Sequence, residues 1–168
     1  MDISQRVNIT AKRCFIAAGA QLIGQVQLGE LSSVWYNAVI RGDINYIKIG
    51  RETNIQDNCV LHVNHDLPVI IGDRVTVGHG AIIHGCVIED DCLIGMGATV
   101  LDGARVGTGS VIAAGAVVRE RMEIPPHSLV VGVPGVIKRT LDPSTIEMIR
   151  QAGQHYVERT KEHLAGTA

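Results

Sequence analysis

The sequence predicts a mainly β chain: a parallel β-helix of six-residue repeats followed by a C-terminal α-helix. Three observations carry that prediction. Aliphatic residues recur every six positions along most of the 168 residues, aromatic residues make up only 3 %, and 19 glycines punctuate the pattern. Ordinary cores use Phe, Tyr and Trp because each buries a large area. A chain that is 46 % hydrophobic yet holds one Phe has a narrow interior that excludes large rings.

The period begins with Ile16, Leu22, Leu28, Val34 and Ile40, and resumes at Ile49, Ile55 and Leu61. It continues through Ile71, Val77 and Ile83, then Ile88, Ile94, Val100, Val106, Ile112 and Val118. Four places after most of these stands a small or slender residue, such as Ala20, Ala38, Ala81, Cys92, Ala98 or Ala116. An amphipathic helix repeats near 3.6 residues and a half-buried strand at two, so neither template fits. A short strand and a corner for each side of a three-sided prism does fit. The aliphatic residue then fills the axis, the small residue turns the corner, and coils stack at the sheet spacing of roughly 4.8 Å.

Besides the step of nine from Ile40 to Ile49, two slips interrupt the period. The step from Leu61 to Ile71 is ten residues, so Val63 to Pro68 forms a small outward loop, and the step from Ile83 to Ile88 is five. Departures from a repeat tend to mark functional or strained places, and both slips flank histidines. Beyond them Asp102, in the turn after Val100, reads as an ordinary exposed surface residue. The prism is expected over residues 1–122, a connecting segment over 123–141 and the helix over 142–165, all in one domain. Asp142-Pro143 supplies an N-cap with proline in the first turn, and the helix would hold Tyr156 in place.

Net charge is −2 and no Lys/Arg cluster stands out, which argues against nucleic acid or an anionic membrane as partner. Met1 to Arg6 lacks the basic-then-apolar pattern of a secretory signal, and no apolar run is long enough to span a bilayer. The cytoplasm is the expected location. Cys14, Cys59, Cys86 and Cys92 show no Cys-x-x-Cys spacing, and Cys59 and Cys92 read as small buried hydrophobes.

His62 follows Leu61 and His84 follows Ile83, each one place after an axial residue. One coil of 18 residues plus the four extra loop residues separates them, so both fall on one face, one coil apart. Two imidazoles so placed can share a metal. His79 lies two places after Val77, on the preceding face, and points round the corner, so a neighbouring copy related by a three-fold axis would have to supply it. Two ligands from one chain and one from the next leave a fourth position for water, the catalytic rather than the structural zinc pattern. Gln56, Asn54 and Asp57 lie one side before His62, and Arg41 with Asp43 occupies what reads as an exposed turn after Ile40.

Ile40-Arg41-Gly42-Asp43, the run from Asn54 to His62, the run from Val77 to Gly85, and Ser33-Val34-Trp35-Tyr36 before them resemble the signature of γ-class carbonic anhydrases. That resemblance implies a left-handed coil and a homotrimer with zinc on His62, His79 and His84; such sites also accept Fe²⁺ or Co²⁺. It implies that Gln56 and Asn54 orient the metal's water or the substrate, and that Arg41, Asp43 and Asp57 form ion pairs between subunits. Tyr156 resembles the family's active-site tyrosine. The implied reaction is reversible hydration of CO₂ to bicarbonate, which makes the enzyme a lyase. Two departures stand out. Ile44 replaces a glutamate after the Arg-x-Asp turn, and the Val63–Val69 loop carries His65 and Asp66 but no shuttle glutamate, which implies low or absent turnover. Three other readings suit the same fold: a metal-dependent acyl-CoA thioesterase, an acyltransferase with one catalytic histidine and no metal, and a metal-binding scaffold.

Overall fold

The computed structural model describes residues 13–166 together with the backbone of strand Val7–Asn8; the reading of Met1 to Arg6 lies outside the described residues. Among the described residues the chain winds as a parallel β-solenoid of short strands followed by one helix, Pro143–Ala165. Three faces recur in each coil. The first stacks Val39–Ile49 (its start), Val60–His62, Ile82–His84, Thr99–Val100 and Val117–Val118. The second stacks the end of Val39–Ile49, then Val69–Ile71, Val87–Ile88, Arg105–Val106 and Glu123–Ile124. The third runs from Phe15–Ile16 through Ser33–Val34, Asn54–Ile55, Thr76–Val77, Leu93–Ile94 and Val111–Ile112 to Ser128–Val131. The long strand Val39–Ile49 bends round a corner and joins the first two faces into one sheet.

The six-residue period is the packing rule of the axis. Ile55, Leu61, Val77, Ile83, Ile94, Val100 and Ile112 are fully buried, as are the corner residues Ala38, Cys59, Ala81, Ala98 and Ala116. Ile16 departs from the rule, being 36 % exposed in the first coil. Corners turn through residues with positive φ, including Asn58 (59°) and Gly97 (66°), a region where Asn and Gly are at home. Cys59, Cys86 and Cys92 are buried, and burial pushes their thiols up to about 11, about 12 and about 12. At neutral pH they are inert packing groups.

The coil continues past residue 122. Glu123–Ile124 pairs with Arg105–Val106, and Ser128–Val131 pairs with Val111–Ile112 before folding back as an antiparallel hairpin with Val136–Thr140. The expected connector therefore carries the last coil: Ile124 and Val130 fill the axis although Pro125-Pro126 hides the period between them. Asp142 caps the helix as expected, accepting hydrogen bonds from the backbone N–H of Ser144 and Thr145. Ile149, Gly153, Val157 and Thr160 face the third face and are buried against it. Asp91 fastens the two together: its carboxylate receives two hydrogen bonds from Arg74 of the prism and two from Arg150 of the helix, at 2.7–3.1 Å. No helix among the described residues is long and apolar enough to cross a membrane.

Candidate metal centre

The first face sets one half of the site. Strand pairing makes Arg41, His62 and His84 consecutive Cα partners, so their side chains form one column across three coils. Arg41 and Asp43 lie within the strand Val39–Ile49, which corrects the expectation of an exposed turn. The strand persists because its backbone pairs with Gln21–Leu28 on one side and with Val60–His62 on the other. Arg41 Nη1 donates to Asp43 Oδ2 at 2.5 Å, and Asp43 Oδ1 lies 3.0 Å from His62 Nε2. Burial works to raise the Asp43 carboxyl, but hydrogen bonds from Arg41 and His62 outweigh it and hold the group below the usual range.

His62 Nδ1 stands 3.0 Å from His84 Nε2, while His84 Nδ1 contacts Asp102 Oδ1. If each outer nitrogen donates its proton to its carboxylate, both inner nitrogens present lone pairs to one another. Two lone pairs at that distance repel unless a proton or a cation lies between them. A tetrahedral metal with bonds of roughly 2.0–2.1 Å holds neighbouring donors about 3.3 Å apart, a few tenths of an ångström from the spacing here. The donor set fits a divalent metal of the zinc type.

The other half lies on the third face and its corner. Asn54 and Gln56 are buried on and beside strand Asn54–Ile55, and their amides are chained. Asn54 Nδ2 donates to Thr76 Oγ1 (2.9 Å), Gln56 Nε2 donates to Asn54 Oδ1 (3.0 Å), and Gln56 Oε1 accepts from the backbone N–H of His79 (3.2 Å). The His79 ring is exposed, with Nδ1 2.6 Å from Asp57 Oδ2. Tyr156 stands nearby on the helix, fixed edge-on against Trp35 with centroids 5.4 Å apart, and lines a cleft with Trp35, Tyr36, Asp57, His155 and Arg159. Burial first, and then the Asp57 carboxylate, push its phenol above the ordinary value.

The structure thus divides the expected residues into two groups: Arg41, Asp43, His62 and His84 on one face, Asn54, Gln56, Asp57, His79 and Tyr156 at another. Among the described residues, no three His, Cys, Asp or Glu side chains of one chain gather closely enough to hold a metal. Arg41 and Asp57 find partners inside the chain, Asp43 and His79 respectively. Each of the three histidines has one ring nitrogen against a carboxylate: His62 with Asp43, His79 with Asp57, His84 with Asp102. Ligating histidines almost always carry such a partner. Sequence reasoning missed Asp102 and took it for free surface. Its side chain is only 24 % exposed, and the signal that could have found it is its position one coil beyond Gly85.

Residues 85–120 match the family model described as bacterial transferase hexapeptide (six repeats), and residues 68–100 match that described as hexapeptide repeat of succinyl-transferase. The fold and these matches define a hexapeptide-repeat protein. Over 148 residues the chain is 52 % identical to a Methanocaldococcus jannaschii protein named "Probable carbonic anhydrase", covering 88 % of this chain and 93 % of that one. The chain belongs to the γ-class carbonic anhydrase-like family of hexapeptide-repeat proteins. It is also 42 % identical over 169 residues to Gamma carbonic anhydrase 2, mitochondrial, of Arabidopsis thaliana, covering 97 % of this chain and 61 % of that one. The chain therefore spans about three fifths of that relative's length. The crystal structure of a Bacillus cereus protein, named as a candidate acetyltransferase, superposes with a TM-score of 0.89 at 41 % identity, covering 90 % of this chain and 88 % of that one.

Proposed function

We propose that the protein catalyses the reversible hydration of CO₂ to bicarbonate at metal centres shared between the subunits of a homotrimer. His62 and His84 of one chain would hold zinc with His79 of the next. The observation that carries the reading is the arrangement of His62 and His84: inner nitrogens 3.0 Å apart, outer nitrogens on carboxylates. His79, with its own carboxylate, stands apart at the other group of polar residues.

When bound, the metal supplies the Lewis acidity that lets a water lose its proton near neutral pH. The chain's own groups do the positioning. Gln56 is fixed at both ends of its amide by Asn54 and the His79 backbone, so its remaining N–H has one direction in which to donate to a substrate oxygen. Asp57 and Asp43 hold the rings of His79 and His62. Tyr156, its phenol kept protonated by burial and by Asp57, is a hydrogen-bond donor at neutral pH.

The experiment combines metal analysis, light scattering and stopped-flow CO₂ hydration on one preparation. The reading expects a trimer with one divalent metal per chain and hydration that chelation abolishes. A stable monomer holding stoichiometric metal would overturn the shared centre, and a metal-loaded trimer inert toward CO₂ would overturn the reaction. Because a neighbouring structure is named as an acetyltransferase, acyl-CoA turnover is measured beside it. Acyl transfer that persists after metal removal would favour that second reading.

A further inference from the structure

The two slips in the repeat meet at one residue that the proposed reaction does not use. Asp102 sits one coil beyond Gly85, whose carbonyl accepts from the backbone N–H of Gly103 at 2.8 Å, and its side chain crosses over Gly85 to His84 Nδ1. The crossing needs the glycine: a Cβ at Gly85 would lie 2.4 Å from Asp102 Oδ1 and 3.3 Å from Leu67 Cβ. Gly85 has φ of +49°, and it lies in the five-residue step after His84.

The second oxygen of Asp102 is engaged by the other slip. Asn64, in the loop after His62, donates through Nδ2 to Asp102 Oδ2 at 2.8 Å. The loop is itself tied down: Asn45 Nδ2 donates to the backbone carbonyls of Asn64 (3.1 Å) and His65 (2.9 Å), and Asn64 and Leu67 pair through their backbones. Asn45, Asn64, Asp102 and His84 thus form an unbroken chain of hydrogen bonds.

We propose that Asp102, oriented by Asn64 of the loop, is the positioning residue for His84, fixing the Nδ1–H tautomer and the ring angle so that Nε2 faces the metal site. The extra residues after His62 serve as a strut that reaches forward one coil to the second ligand. The proposal rests on the reading of His62 and His84 as metal ligands, and it makes a claim about tautomer that holds without the metal.

Two measurements test it on the full chain. Co²⁺ affinity is read by chelator competition together with the visible absorption of the bound ion. Asp102→Ala should weaken binding by about 10–100-fold and alter the spectrum, with circular dichroism and assembly size unchanged. Asp102→Asn, which can still accept from Nδ1–H, should recover most of the affinity, and Asn64→Ala should lose less than Asp102→Ala. Long-range ¹H–¹⁵N NMR of the metal-free protein reads the tautomer directly: Nδ1–H on His84 in the parent, lost in Asp102→Ala. Parent-like Co²⁺ affinity and spectrum in Asp102→Ala would overturn the proposal, as would an unchanged tautomer. If the parent takes up no Co²⁺, the metal reading fails by itself, and the tautomer comparison alone decides for or against Asp102.

Discussion

His62 and His84 are direct partners on neighbouring parallel strands, and their inner ring nitrogens stand 3.0 Å apart with a carboxylate behind each outer nitrogen. In the proposed function such a pair is half of a metal centre, to be completed by His79 of a second copy. His79 stands apart from the pair, held by Asp57.

The axis of the prism should reject rings. Val100 is fully buried among aliphatic neighbours, so Val100→Phe should overpack it and cost about 1–3 kcal/mol. Glu120→Ser, on an exposed turn, should stay within about 0.5 kcal/mol. Urea melts at matched protein concentration make the comparison, and equal tolerance at the two positions would contradict the register.

The clamp on the C-terminal helix should be lost in acid. Arg74 and Arg150 hold the Asp91 carboxyl at about 2 against burial, below its ordinary 3.8. A carboxyl depressed by folding stabilises fully above the unfolded value and ceases to do so as pH falls through the folded one. Its contribution, roughly 2 kcal/mol from the size of the shift, should therefore be present above about pH 4 and gone near pH 2. Asp91→Asn should remove the pH dependence in that window and lower stability at pH 7 by a similar amount. A variant with the parent's acid profile would show that the clamp contributes nothing.

Much of the fold was legible because each axial residue packs only on the coils above and below, so position modulo six was enough to place it. The shared face of His62 and His84 followed from the same arithmetic. The arithmetic failed where contacts leave the period. Asp102 lies 38 residues from Asn64, and a side-chain hydrogen bond from the loop joins them. Asp91 lies 59 residues from Arg150, across a helix with a different repeat. Pro125-Pro126 concealed the last coil by breaking the hydrophobic spelling without breaking the winding.

His65 is exposed in the loop, three residues beyond His62. Histidine is the side chain that exchanges protons near neutrality. His65→Ala should slow CO₂ hydration in dilute buffer, and added imidazole should restore it with metal content unchanged. Equal rates at every buffer concentration would remove His65 from the proton path and leave it as a loop residue whose carbonyl anchors Asn45.

The most direct test of the shared centre is complementation between two inactive variants. His62→Ala and His79→Ala, purified separately, should each hold almost no metal, because every interface in each homotrimer lacks one ligand. Unfolded together, refolded in equal amounts and dialysed against Zn²⁺, they should recover metal in about a quarter of the interfaces, the fraction in which an intact His62–His84 pair meets an intact His79 in a closed three-fold ring. CO₂ hydration should return in proportion. A mixture that stays metal-free, or a His79→Ala protein that keeps its full metal alone, would show that the three histidines do not share one centre.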